Sequence, residues 1–216
     1  MSNDSPATML VLSPGAYGMN SDTHLALCDI QMFAHIPKFI YLAPFTKSEY
    51  KNMLKFATTQ KNHPVGIRVP AEFSKIDTCD NTDYTIYNKN KIVLNGNTVA
   101  IFAIGKMMDM TLDIAKKVKQ EKNLDITVIN PLFLTGLDET LLNDLKKNHK
   151  LVITLEDGEL MGGYGQNISS FYGTSDILVK NFGISKKFHT DFTAEDLLKE
   201  NGMSVENISN IIENML

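Results

Sequence analysis

Short apolar runs alternate along this chain with longer segments whose apolar positions recur every three or four residues. Thr8–Leu12 is an apolar run closed by Ser13-Pro14-Gly15, the pattern of a buried strand entering a turn. A glycine- and polar-rich loop follows, and residues 25–35 carry apolar positions at helical spacing, stopped before Pro37. Residues 39–43 read as a strand. Thr46-Lys47-Ser48-Glu49 is a capping box, in which hydroxyl and carboxylate satisfy free N–H groups at a helix start. Tyr50, Met53, Leu54 and Ala57 give the helix it opens one apolar face. Val65–Val69 is the next strand, bracketed by Pro64 and Pro70.

Between residues 71 and 90 the pattern dissolves into polar residues, which reads as an interdomain linker. It then resumes. Strands are expected at 98–104, 125–129, 151–155 and 177–182. Helices are expected at 108–122 and 138–148, after the glycine loop that ends at Gly165, and over the closing stretch marked by Val205, Ile208, Ile212 and Met215. Alternating strands and helices imply a parallel sheet covered on both faces. The second block has the size of a complete α/β domain, whereas the first supplies only about three strands and leaves a sheet with an exposed edge. The expected division is 1–72 for a partial domain, 73–92 for a linker and 93–216 for a full domain.

Composition narrows the function. With 21 basic and 25 acidic residues, 43% hydrophobic and 21% charged, the chain is an ordinary globular protein of net charge −4. That balance argues against a nucleic-acid or anionic-membrane partner. Two cysteines make no disulfide framework and no zinc pattern, and no apolar run reaches membrane-spanning length. A cytoplasmic protein is expected.

Loops at the carboxyl ends of parallel strands are where such sheets bind ligands, and three carry candidate chemistry. Gly18 to His24 presents an imidazole, a carboxylate, an amide and hydroxyls within seven residues. His24 there can hydrogen-bond a substrate oxygen or pass a proton; alternatively, Asp22 or Thr23 simply caps the following helix. Arg68 sits inside an apolar strand and needs an anionic partner, either a ligand phosphate or carboxylate or an internal ion pair. The segment Glu156-Asp157-Gly158 to Gly165 reads as a glycine loop after a strand, favouring a structural turn and interface over a ligand site. It matches neither a dinucleotide fingerprint nor a P-loop.

Asp22-Thr23-His24, Cys28-Asp29-Ile30, Ala34-His35-Ile36-Pro37, Tyr41-Leu42-Ala43-Pro44 and Pro64 to Pro70, in that order, resemble the end of the pyrimidine-binding domain of 1-deoxy-D-xylulose-5-phosphate synthases. Asn130-Pro131, Gly136-Leu137-Asp138 and the 155–165 segment resemble the transketolase C-terminal domain joined to it. Transketolases and the β subunits of 2-oxo-acid dehydrogenases share this architecture. The resemblance implies an incomplete parallel-sheet segment of a pyrimidine domain followed by a C-terminal α/β domain. It also implies part of a thiamine-diphosphate enzyme that joins pyruvate to glyceraldehyde 3-phosphate with loss of carbon dioxide. By position, it makes His24 the catalytic histidine, Arg68 the holder of the acceptor phosphate, and Asn20 and Asp22 neighbours of the substrate. Where the family commonly shows a second histidine, a Gly-Pro and an arginine, this chain has Leu25, Ser21-Asp22 and Ser13. The family's Gly-Asp-Gly segment for thiamine diphosphate and Mg2+ is absent, as is its activating glutamate, so no cofactor is expected on this chain alone. A missing amino-terminal portion or subunit, a homodimer and inactivity in isolation are the corresponding expectations. A transketolase-like or 2-oxo-acid dehydrogenase β-type subunit and a non-catalytic relative are the other readings.

Overall fold

A computed structural model describes residues 5–18, 21, 24–76 and 79–216. The elements run β1 (Thr8–Leu12), α1 (Asp29–Ala34), β2 (Ile40–Leu42), α2 (Lys47–Thr59), β3 (Val65–Val69), β4 (Lys91–Leu94), β5 (Thr98–Ala103), α3 (Met107–Lys122), β6 (Thr127–Asn130), α4 (Glu139–Leu145), β7 (His149–Glu159), α5 (Tyr164–Tyr172), β8 (Leu178–Ile184), α6 (Ala194–Glu200) and α7 (Val205–Met215). They form a three-stranded parallel sheet, β1-β3-β2, and a five-stranded sheet, β4-β6-β5-β7-β8.

The second sheet is buried on both faces. Val99, Ile101 and Ala103 of β5 point into a core shared with α3, α6 and α7. Ala100 and Phe102 point into the opposite core with Leu142, Tyr164 and Ile168. That second core also takes Phe39, Tyr41 and Ala43 from around β2, so the two sheets share apolar interior. Backbone bonds tie them as well: Ala43 N–H donates to the Leu132 carbonyl at 2.9 Å and Leu134 N–H to the Tyr41 carbonyl at 2.8 Å. The 132–134 segment therefore closes the outer edge of β2.

Local chemistry explains the helix starts. Thr46 Oγ1 accepts from Glu49 N–H, and Glu49 reaches back to accept from Phe45 N–H at 3.0 Å. Asp138, Thr193 and Ser204 cap α4, α6 and α7 in the same way. The 79–91 stretch is pinned rather than loose. Asp80 accepts from Asn52 and Tyr84, and Lys91 pairs with the buried Glu49.

Several expectations are corrected. The helix expected at 25–35 is only the six residues of α1, because the carbonyls of Ala26 and Leu27 are taken by Gly15 and Glu159 N–H rather than by a helical ladder. β4 and α6 are not among the expected elements; β4 pairs antiparallel with β6, so this sheet is mixed at one edge. β7 runs through Glu156-Asp157-Gly158, which makes that segment strand rather than loop.

The expectation of a buried first strand also fails. Met9 is 43%, Leu10 42% and Leu12 68% exposed. The cause is topological: β1 has β3 on one side and no strand among the described residues on the other. The Ser13 N–H to Val69 and Val65 N–H to Ala7 bonds fix which β1 residues face β3. Odd-numbered backbone groups point inward, and those of Thr8, Leu10 and Leu12 point to the open edge. Leu10→Pro should therefore leave the ladder intact, whereas Val11→Pro removes a donor from it. Urea titration of the two variants should show the larger loss for Val11→Pro, and equal losses would contradict this register.

Candidate functional site

Residues 13–16 and 26–27 lie at the carboxyl ends of β3 and β7, and three backbone bonds hold them there. Gly15 N–H donates to the Ala26 carbonyl at 2.8 Å, pairing the two ends of the loop. Ala16 N–H donates to the Asp157 carbonyl at 2.7 Å, and Glu159 N–H to the Leu27 carbonyl at 2.8 Å. β5 pairs with β7 only as far as Leu155, and beyond it the Asp157 carbonyl and the Glu159 N–H bond to this loop instead.

Beneath the loop lies Arg68, only 3% exposed. Its Nε donates to Asp29 Oδ2 at 2.8 Å and its Nη1 to Asp157 Oδ1 at 2.7 Å. Asp29 also accepts from the Tyr41 hydroxyl at 2.6 Å. One guanidinium thus joins β3 and the start of α1 in the first domain to β7 in the second. Gly15 is shaped by this cluster. Its φ is +85°, and a Cβ there would stand 2.2 Å from Asp157 Oδ2 and 2.8 Å from Arg68 Nη2.

Next along β7, Glu156 is fully buried. Its two oxygens accept from Tyr164 and Gly165 N–H at 3.0 and 3.1 Å, at the amino end of α5. Gly163 is needed for this approach, since a Cβ would fall 2.3 Å from Glu156 Oε2. Burial nevertheless outweighs those donors and raises the Glu156 pKa to about 8. Burial likewise raises that of Asp157, against the pull of Arg68. Glu156, which makes no ion pair with Arg68, is thus held by its burial well above the usual carboxylate range.

His24 lies exposed on the loop, its N–H donating to the Ser21 carbonyl at 3.0 Å. One residue on begins a cavity of about 410 Å3 lined by Leu25, Leu27, Cys28, Glu159, Phe188 and His189, among others. Arg68 is not among its lining residues. Asn20 and Asp22 lie outside the described residues. The structure therefore sets His24 and Arg68 at one loop but in different surroundings, His24 in solvent and Arg68 enclosed. Of the two partners foreseen for the guanidinium, the internal ion pair is the one present. Asp29 and Asp157 were not foreseen as those partners. A carboxylate at the start of α1 and another past the expected end of a strand gave no sign of meeting, since their separation from Arg68 is 39 and 89 residues.

Among the described residues no group of three or more His, Cys, Asp or Glu is placed to hold a metal ion, and no helix is long and apolar enough to cross a membrane. Among the described residues, that leaves no cluster of acidic side chains fit to hold the magnesium of a diphosphate group.

Comparison with known proteins gives a consistent picture. The model of the transketolase pyrimidine-binding domain matches residues 2–73, and that of the transketolase C-terminal domain matches 88–208. The 1-deoxy-D-xylulose-5-phosphate synthase of Alkaliphilus oremlandii is 32% identical over 208 residues, 95% of this chain and 33% of that protein. The Clostridium perfringens synthase is 30% identical over 223 residues, 98% of this chain and 34% of its own length. The chain thus spans about a third of the synthases it matches. Among solved structures, a split-gene transketolase, an inactive beta4 tetramer, superposes with a TM-score of 0.83 at 20% identity, covering 97% of this chain and 66% of that one. A transketolase mutant from Pichia stipitis superposes with a TM-score of 0.73 at 14% identity, covering 98% and 30%.

Two outcomes test this cluster. Arg68→Met leaves two buried carboxylates without their cation and should cost about 3–5 kcal/mol in denaturant unfolding. For Glu156, the folded pKa lies above the 4.5 of an ordinary glutamate, so its contribution is intact below about pH 4.5 and is lost as pH rises through about 8. Stability measured across that window should fall more steeply for the native chain than for Glu156→Gln; parallel curves would contradict the assignment.

Proposed function

The chain belongs to the transketolase family, and from that premise we propose that it is the carboxyl-terminal part of a thiamine-diphosphate-dependent 1-deoxy-D-xylulose-5-phosphate synthase. In this reading it works only with the polypeptide that carries the rest of the enzyme, in the cytoplasm and as part of a dimeric assembly. The observation that carries the proposal is the open β1 edge. A three-stranded parallel sheet ends in exposed Met9, Leu10 and Leu12, in a chain spanning a third of the synthases it resembles. Isolated edges of that kind invite pairing with another strand.

Thiamine diphosphate, when bound, supplies the electron sink on which pyruvate loses carbon dioxide. In this reading the portion of the enzyme outside this chain holds its diphosphate and Mg2+. The contribution of the chain itself is positional and protic. His24 stands in solvent on a loop anchored at both ends, where an imidazole can donate a hydrogen bond or pass a proton to a substrate oxygen. Asn20 and Asp22, on the same loop, are assigned to the substrate hydroxyls.

Arg68 was expected to hold the acceptor phosphate, but two carboxylates already occupy its guanidinium. We assign it to positioning: it keeps the His24 loop seated on β7. Direct contact with phosphate would require Asp29 or Asp157 to give way. The two roles separate in the assembled enzyme with Arg68→Lys. Positioning predicts lower stability with an unchanged acceptor KM, and phosphate contact predicts a raised acceptor KM.

The decisive assay supplies thiamine diphosphate, Mg2+, pyruvate and glyceraldehyde 3-phosphate and measures carbon dioxide release. The chain alone should give none, and adding the polypeptide with the other two thirds of the synthase should restore turnover. In that assembly His24→Ala should lower kcat by about 10²–10⁴-fold. Turnover by the chain alone would overturn the proposal, and unchanged kinetics for His24→Ala would favour the non-catalytic reading.

A further inference from the structure

At the amino end of β2 and β3, on the rim opposite the His24 loop, lies a cavity of about 330 Å3. We infer that it is a binding site for a small phosphorylated ligand. The inference is independent of the synthase reading, because none of the residues assigned above to substrate lines this cavity.

The polar wall is formed by His35, Lys38, His63, Tyr87, Asn88 and Thr135, and no aspartate or glutamate lines it. In a chain with 25 acidic and 21 basic residues, a cavity with three nitrogen bases and no carboxylate is a local inversion of charge. Three of these six groups are also unspent. The His35 ring, the Tyr87 hydroxyl and the Asn88 amide make no hydrogen bond to any described residue. His63 uses one nitrogen: Nδ1 lies 3.2 Å from the Lys38 carbonyl. A carbonyl can only accept, so Nδ1 carries the proton and Nε2 is left for a ligand. The ring is steadied edge-on by Tyr87, with centroids 5.2 Å apart.

The backbone around the cavity is bent to place these groups. Lys38 has φ +63° and Asn88 φ +60°; asparagine tolerates that region, but lysine rarely adopts it. Gly136 leaves the space that Asn88 occupies, since a Cβ there would sit 2.3 Å from Asn88 Nδ2. Residues held in sparsely populated conformations gather where a ligand is clamped. Phosphate suits this wall better than a carboxylate because its three terminal oxygens can meet donors from several directions at once. The apolar floor of Ile36, Pro37 and Phe39 suits a short carbon chain attached to it.

The test follows the histidine ring resonances of the intact chain by NMR at constant ionic strength and pH, with inorganic phosphate, glycerol 3-phosphate and acetate as probes. Inorganic phosphate should move the His35 and His63 signals saturably, with a Kd on the order of 1 mM, and those of His149 and His189 should stay still. Glycerol 3-phosphate should bind about tenfold tighter, and acetate weakly or not at all. His35→Ala at an exposed position and Asn88→Ala should each weaken phosphate binding at least about fivefold without altering the circular dichroism of the chain. Equal shifts at all histidines, acetate binding as well as phosphate, or no saturable shift up to about 20 mM would each overturn the assignment.

Discussion

The pairing of Arg68 with Asp29 and Asp157 is the contact on which the arrangement of the two domains turns. The guanidinium comes from β3, one carboxylate from the start of α1, and the other from the far end of β7. A buried ion pair of this kind contributes little net stability relative to apolar packing, but losing one member leaves a bare charge inside the protein. It therefore acts on specificity of arrangement more than on overall stability. With Tyr41 donating to Asp29 and Gly15 pressed against Asp157, any shift of one domain against the other breaks several polar contacts at once. The loop that carries His24 rests directly on this cluster, so the placement of its chemistry is inherited from it.

The two edges of the first sheet show how the same problem is met in one place and left unmet in another. At β2 the 132–134 segment of the second domain donates and accepts backbone bonds and closes the edge. At β1 three outward backbone positions and three exposed apolar side chains are left uncovered among the described residues. A shared apolar core and a closed edge thus lie on one side of the first sheet, and an open apolar edge on the other.

Most of the fold was legible in the pattern of residues, for identifiable reasons. β3 lies between two prolines and has the expected limits. α2 begins where Thr46 and Glu49 can satisfy free donors, and α7 carries its apolar stripe where the spacing put it. The misses share a cause. β4 alternates half-buried and exposed residues over only four positions, too few for a periodicity to stand out from a linker. α6 is seven residues long and largely polar. β7 was ended too early because Glu156, Asp157 and Gly158 look like loop residues, and only the protein around them makes them tolerable in a strand.

The sequence by itself determined the α/β class, the two-block organisation, the family resemblance and the shortage of strands in the first block. These follow from local periodicity and from short motifs read in order. Tertiary structure alone decided which partner Arg68 takes, that burial pushes Glu156 above its usual range, and which strand is left open among the described residues. Those outcomes depend on distance and burial between residues far apart along the chain. An arginine in an apolar strand announces that it needs an anion, but only the folded chain shows that the anion is Asp29 and Asp157.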